Sequence, residues 1–148
     1  MPDSCSDYNT PMKVCLCRAD NCFNVTFKQT KTKDVMLIFL DLLLETYQNG
    51  IDEMINYMKA DTSLQEREKI ELIRKKYETV FGKYMDTYSS LKKMKASKEA
   101  KVENEYRRHI TIKFDGGLTL DIDKCKQYLA EAREFAQLVL KTIGNVKE

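Results

Sequence analysis

The sequence predicts an α+β fold that is mainly α: three long helices at about 34–60, 63–96 and 123–143, a β-hairpin at about 109–122, and a small cysteine-rich hairpin at the N-terminus. Three observations predict it. Apolar residues recur at steps of three and four over the three long stretches, which is the period of a half-buried helix. Apolar and polar residues alternate strictly on both sides of Asp115-Gly116-Gly117, which is the period of a strand pair around a turn. Four of the five cysteines fall between Cys5 and Cys22, in a stretch that also alternates. The corresponding division is a cysteine-rich leader at 1–28 and a helical domain with an inserted hairpin at 29–148.

In the leader, Val14 and Leu16 share one face of a short extended run, and Phe23, Val25 and Phe27 share a face of the next. Arg18-Ala19-Asp20-Asn21 reads as the turn between them. The polar run Lys28-Gln29-Thr30-Lys31-Thr32-Lys33 reads as a linker. The first long helix begins after Asp34, a suitable N-cap, and carries Met36, Leu40, Leu43, Tyr47, Ile51, Met54 and Met58. Gly50 interrupts it at a cost of about 1 kcal/mol. Its first half is apolar nearly all round and should be the most buried element.

Asp61-Thr62-Ser63 separates this helix from the next, with Ser63–Glu66 or Thr62–Gln65 as a capping box. The second helix carries Ile70, Ile73, Tyr77, Val80, Phe81, Tyr84, Tyr88, Leu91 and Met94, a stripe too wide for a bare coiled coil and suited to a bundle. The short connection implies an antiparallel pair. At 1.5 Å per residue the second helix is about 48 Å long against about 38 Å for the first, so its basic end, Lys92 to Arg108, should overhang into solvent. Ile110, Ile112, Phe114 and then Leu118, Leu120, Ile122 form the two apolar rows of the hairpin. A lone hairpin is marginal, so that face must cover helices or join further strands, which the N-terminal hairpin could supply. The last helix starts at Asp123, buries Cys125, Tyr128, Leu129, Ala132, Phe135, Ala136, Val139 and Ile143 on one face, and stops at Gly144.

A formal net charge of +2 names no partner, but the charge is uneven: residues 1–61 carry a net of −3 and residues 62–108 a net of +5. A solvated helix face explains such a segment. The longest apolar run, Met36 to Leu44 broken at Asp41, is too short to span a bilayer, which needs about 20 residues.

The leader carries a resemblance. Ser4-Cys5-Ser6-Asp7-Tyr8 followed by Lys13-Val14-Cys15-Leu16-Cys17-Arg18-Ala19-Asp20-Asn21-Cys22 resembles the closing stretch of Ly6-like three-finger modules, in the nematode form known as the ET module. That family ends in C-x-C-x-x-D-x-C-N, matched here by Cys15, Cys17, Asp20 and Cys22. Phe23 takes the place of the terminal Asn, which comes one position later as Asn24. The similarity covers residues 4–24, without the family's first finger. It implies disulfides Cys5–Cys15 and Cys17–Cys22, a free buried Cys125, and an extracellular, non-enzymatic protein in an oxidising compartment. Asn24-Val25-Thr26 is a glycosylation sequon consistent with that compartment. Met1-Pro2-Asp3-Ser4 shows no basic start or apolar stretch of a secretory signal, so the expected extracellular compartment has a cytoplasmic one as its alternative.

No catalytic constellation is legible. His109 is the single histidine, has no nucleophile at a telling spacing, and reads as a surface residue. Asp121 and Asp123 suit helix capping rather than acid–base work. Gly116-Gly117 is explained by its turn. The cysteine spacing lacks the paired knuckles of a zinc site, so no metal or cofactor is expected. Lysines from Lys92 to Lys101 could meet phosphates, but Tyr77, Tyr84 and Tyr88 lie on the apolar stripe, and nucleic acid is not the expected partner. The expected role is a non-catalytic protein-interaction or structural protein, with a protein partner or a second copy of itself. The alternative is a small helical carrier of a lipid or other apolar ligand, lined by Met36, Leu40, Leu43, Tyr47, Tyr77 and Tyr84.

Overall fold

The structure, a computed structural model, describes residues 10–27, 32–61, 63–97, 101–106, 109–114 and 117–144; for residues 101–109 it describes the backbone alone. Helix α1 (Pro11–Asn21) runs on into a π-helical stretch (Cys22–Thr26). Helix α2 (Lys33–Tyr57) and the helical element α3 (Glu66–Ala96) follow. Strands β1 (Lys101–Tyr106), β2 (His109–Lys113) and β3 (Thr119–Asp121) then lead into helix α4 (Ile122–Gly144). The mainly α, α+β class and the three long helical stretches are as expected.

The N-terminal hairpin is not. Residues 11–27 are helical because Thr10 accepts a hydrogen bond from the Lys13 amide at 3.2 Å and Pro11 occupies the first helical position, where its missing N–H costs nothing. Met12, Cys15, Ala19, Cys22 and Phe23 then fall on one face, and all are buried. Within the π-helical stretch the Phe27 amide reaches back five residues to the Cys22 carbonyl. Phe23 stacks on Phe27 at 5.9 Å and meets Phe39 of α2 at 5.4 Å. The segment expected as a separate leader therefore contributes to the same core as the other helices.

α2 starts two residues earlier than expected. Thr32 is its N-cap, accepting from the Val35 amide at 3.3 Å, while Asp34 lies in the first turn and complements the helix dipole. Its end is a Schellman motif: the Ala60 amide donates to the Ile55 carbonyl at 3.1 Å and the Lys59 amide to Asn56 at 3.0 Å. Lys59 holds the left-handed position with φ 60°, where a β-carbon costs about 1–2 kcal/mol. Replacing Lys59 by Gly relieves that strain and adds chain entropy to the unfolded state; a net gain of roughly 0.5–1 kcal/mol in a urea titration is expected.

The expected hairpin is present, with Thr111 opposite Asp121, Ile112 opposite Leu120 and Lys113 opposite Thr119. Ile110, Ile112, Phe114 and Leu120 turn one face into the core, and Gly117 supplies a φ of +83° in the turn. The additional strand comes not from the N-terminus but from β1, antiparallel to β2 with a register shift between Val102 and Asn104, giving the order β1-β2-β3. The charged stretch expected as a frayed helical overhang is thus partly a strand. Asp121 caps α4 as expected, accepting from the Lys124 amide at 2.8 Å.

α1, α2, the second part of α3 and α4 form the bundle. α1 runs antiparallel to α2, as Cys15 meets Glu45 and Cys22 meets Val35. α2 runs antiparallel to the end of α3, as Lys95 pairs with Asp41 at 2.6 Å and Tyr47 meets Tyr88 at 5.7 Å. α4 is antiparallel to α3 in turn, with Tyr84 donating to Glu134 at 2.9 Å and Thr87 to Glu131 at 2.7 Å.

Candidate interaction cleft

α3 is not the straight rod its stripe suggests. Glu66 accepts a hydrogen bond from Tyr88 and an ion pair from Lys92, and Arg74 pairs with Asp86. In a continuous helix Glu66 and Lys92 would lie about 39 Å apart. The chain instead reverses at Tyr77, whose φ −129° and ψ 33° are non-helical, so residues 66–76 and 78–96 lie side by side. The reversal lets Ile73 and Leu91 both reach the core, and it removes the overhang. No Gly or Pro marks the break. The helix starts at a Gln65–Glu68 capping box rather than at the expected Ser63–Glu66, and the Ser63 amide and hydroxyl donate to Asp61 instead; the alternative, Thr62–Gln65, rests on Thr62, which lies outside the described residues.

Between these two arms lies a cleft of about 610 Å³. Ile70 and Ala96 are its accessible apolar residues, over Met85 and Tyr88, which are buried beneath it. Arg67, Arg74, Lys92 and Lys93 stand around it against one lining carboxylate, Glu71. Arg74 is committed to Glu78 and Asp86, and Lys92 to Glu66, so these pairs brace the arms. Arg67 and Lys93 are exposed and make no ion pair among the described residues. The Lys92 ammonium also lies 5.6 Å over the Tyr88 ring.

Glu66 is the buttress of the cleft. Burial alone would raise its pKa, but the hydrogen bonds from Lys92 and Tyr88 outweigh burial and hold the carboxyl below its ordinary value. A depressed carboxylate contributes stability that is present above the unfolded-state value of about 4.3 and lost as pH falls through the lower folded-state value. Stability should therefore fall below about pH 4 through this group, and Glu66→Gln should flatten that part of a stability-against-pH curve. An identical acid slope in wild type and variant would show the brace uncoupled from folding.

The expected site residues are placed differently. Cys15 and Cys22 are buried free thiols, as is Cys125. The Cys5–Cys15 and Cys17–Cys22 pairing is corrected accordingly. Cys17 and Cys22 are five residues apart on a continuous helix, about 7.5 Å along its axis and on different faces, outside disulfide reach. Cys17 is disulfide-bonded, to a partner outside the described residues, and Cys5 also lies outside them. Cys15 donates to Glu45 at 3.6 Å and accepts from Asn49 at 3.5 Å. Burial, reinforced by Glu45, pushes its pKa up; burial does the same for Cys22 and, with Asp121, for Cys125. All three are thiols at neutral pH and poor nucleophiles. Asn24 is exposed and its amide donates to Asp20 one helical turn earlier. The side chain of His109 lies outside the described residues.

The six residues proposed for an apolar ligand line neither this cleft nor a smaller one of about 310 Å³ between α1 and α4. Met36, Leu40, Leu43, Tyr47 and Tyr84 are packed core, and Tyr77 is half-buried at the reversal. The structure brings Tyr47 and Tyr84 together around Phe135 instead. Among the described residues no cluster of His, Cys, Asp and Glu could hold a metal ion, and no helix is long and apolar enough to cross a membrane. The cleft residues Arg67, Arg74 and Met85 were not singled out by the sequence, whereas Lys92 and Lys93 were, among the lysines able to meet phosphates; the basic excess of residues 62–108 was the signal for the two arginines.

Comparison with protein families, curated proteins and solved structures finds no match to this chain.

Proposed function

We propose that this protein is a non-catalytic interaction protein that works in an oxidising, extracellular compartment and engages a protein partner, or a second copy of itself, through the cleft between the arms of α3. The observation that carries the reading is the make-up of that cleft: Ile70 and Ala96 accessible inside a basic rim, on a scaffold whose interior is filled by its own side chains. Open apolar surface rimmed by charge is what interaction sites look like. The compartment is supported by the disulfide at Cys17 and by the exposed sequon at Asn24.

A photoreactive residue at Ser89, exposed on the cleft wall, tests the reading against one at Lys126, exposed on α4. Cross-linking from Ser89 alone, to a sequenced partner or to a second copy, is the expected result. Equal yields from both positions, or none, would overturn it. A lipid carried through native mass spectrometry would favour the carrier alternative instead.

A further inference from the structure

We propose that the α3 cleft docks an amphipathic helix of an acidic partner protein, its apolar face on Ile70 and Ala96 and its flanking carboxylates on Arg67 and Lys93. The inference rests on the interaction reading above and names the occupant.

Dimensions argue for a helix. The lining of the second arm runs from Met85 to Ala96, which is about 16 Å at 1.5 Å per residue, or three helical turns. The floor is made by two antiparallel arms, the groove that an amphipathic helix fills with anchors at i, i+3, i+4 and i+7. The cleft is open along one side, whereas a site for a small amphiphile encloses most of its ligand.

Charge argues for acidity. Four cations against one carboxylate line the cleft, and the other nearby acids, Glu66, Glu78 and Asp86, are already paired with Lys92 and Arg74. Arg67 and Lys93 are thus the two lining cations left to meet an incoming carboxylate. A nucleic acid fits less well: Tyr84 and Tyr88 are buried with their hydroxyls on Glu134 and Glu66, so they offer no stacking face. The arms are braced before anything binds, so a docking helix meets a groove already formed.

The test uses the full chain and a synthetic helical peptide of fourteen or so residues with Leu at i, i+3, i+4 and i+7 and Glu on the flanks. A second peptide replaces each Glu by Lys, and dodecyl phosphate serves as the small amphiphile. Isothermal titration should show binding of the Glu peptide only, weakened on raising salt. The double variant Arg67→Glu/Lys93→Glu, both sites exposed, should weaken it about tenfold or more. Ser89→Trp, which adds bulk to the wall without charge, should weaken it as well. Binding of both peptides alike, no loss in either variant when each retains wild-type circular dichroism, or uptake of dodecyl phosphate in place of the Glu peptide would overturn the inference. If no peptide binds while Ser89 still cross-links to a sequenced partner, the acidic helix is wrong and the interaction reading stands.

Discussion

Phe135→Ala is expected to lower stability by about 3–5 kcal/mol, the cost of removing a buried aromatic ring that its neighbours cannot replace. Phe135 is fully buried on α4 and its ring lies 4.7 Å from that of Tyr47, 5.8 Å from Phe81 and 6.0 Å from Tyr84. One side chain thus joins α2, α3 and α4. The Tyr47 pairing is tilted and the Phe81 pairing edge-on, geometries that add to the area buried. Against a total stability of about 5–15 kcal/mol for a domain of ordinary size, the loss is a large share. Urea unfolding followed by circular dichroism measures it; a loss below about 1.5 kcal/mol would mean that the rings close over the gap.

The same position explains Gly50. A β-carbon there would come 2.5 Å from Phe135 Cε2 and 3.0 Å from Met12 Sδ, so at the glycine side chains of both α1 and α4 press on α2. In wild type, Gly50→Ala should destabilise, because overpacking of about 1–3 kcal/mol exceeds the roughly 1 kcal/mol of helix propensity gained. In the Phe135→Ala background the ring is gone and the propensity term should win, reversing the sign. A double-mutant cycle reads that reversal directly.

How much of this was legible in the sequence differs from element to element. The β2–β3 hairpin was readable because alternation, a glycine turn and one buried face all agree, and Ile110, Ile112, Phe114 and Leu120 do face the core. α2 and α4 were readable because long stripes at helical spacing leave no competing period. The segment at 11–27 was ambiguous in a physical sense: Phe23, Val25 and Phe27 alternate, yet Met12, Cys15, Ala19 and Cys22 repeat at helical steps. The decision lay in Thr10-Pro11, a cap and a first-turn proline. Tertiary contact with α2, through Phe39 and Val35, completes it.

The cleft was the least legible feature, for a related reason. Its floor depends on a reversal at Tyr77, where the local sequence Lys75-Lys76-Tyr77-Glu78 is compatible with helix. The bend goes with contacts between residues far apart in sequence: the burial of both Ile73 and Leu91, and the pairs Glu66–Lys92 and Arg74–Asp86. Local propensity carries no record of such contacts. The basic excess of the segment was visible, but its arrangement around Ile70 and Ala96 required the fold.

Tyr47→Phe should act in the opposite direction to the Phe135 variant and raise stability by about 1–3 kcal/mol. Tyr47 is fully buried, and its hydroxyl has no hydrogen-bond partner among the described residues. Burial, with Glu131 and Tyr84 adding to it, pushes its pKa far above the ordinary tyrosine value, so the group is a neutral hydroxyl stripped of water. An unpaired buried hydroxyl carries its whole desolvation cost. Phenylalanine keeps the ring that packs on Tyr88 and Phe135 and removes only the orphan oxygen. For a chain of this length each kcal/mol corresponds to roughly 2–4 °C, so thermal unfolding should shift upward by several degrees. The contrast with Tyr88 supplies the control: its hydroxyl donates to Glu66 and accepts from Gln48, so Tyr88→Phe should destabilise. If Tyr47→Phe lowered the midpoint instead, the hydroxyl would have to be held by an ordered internal water, and the centre of the bundle would be polar rather than apolar.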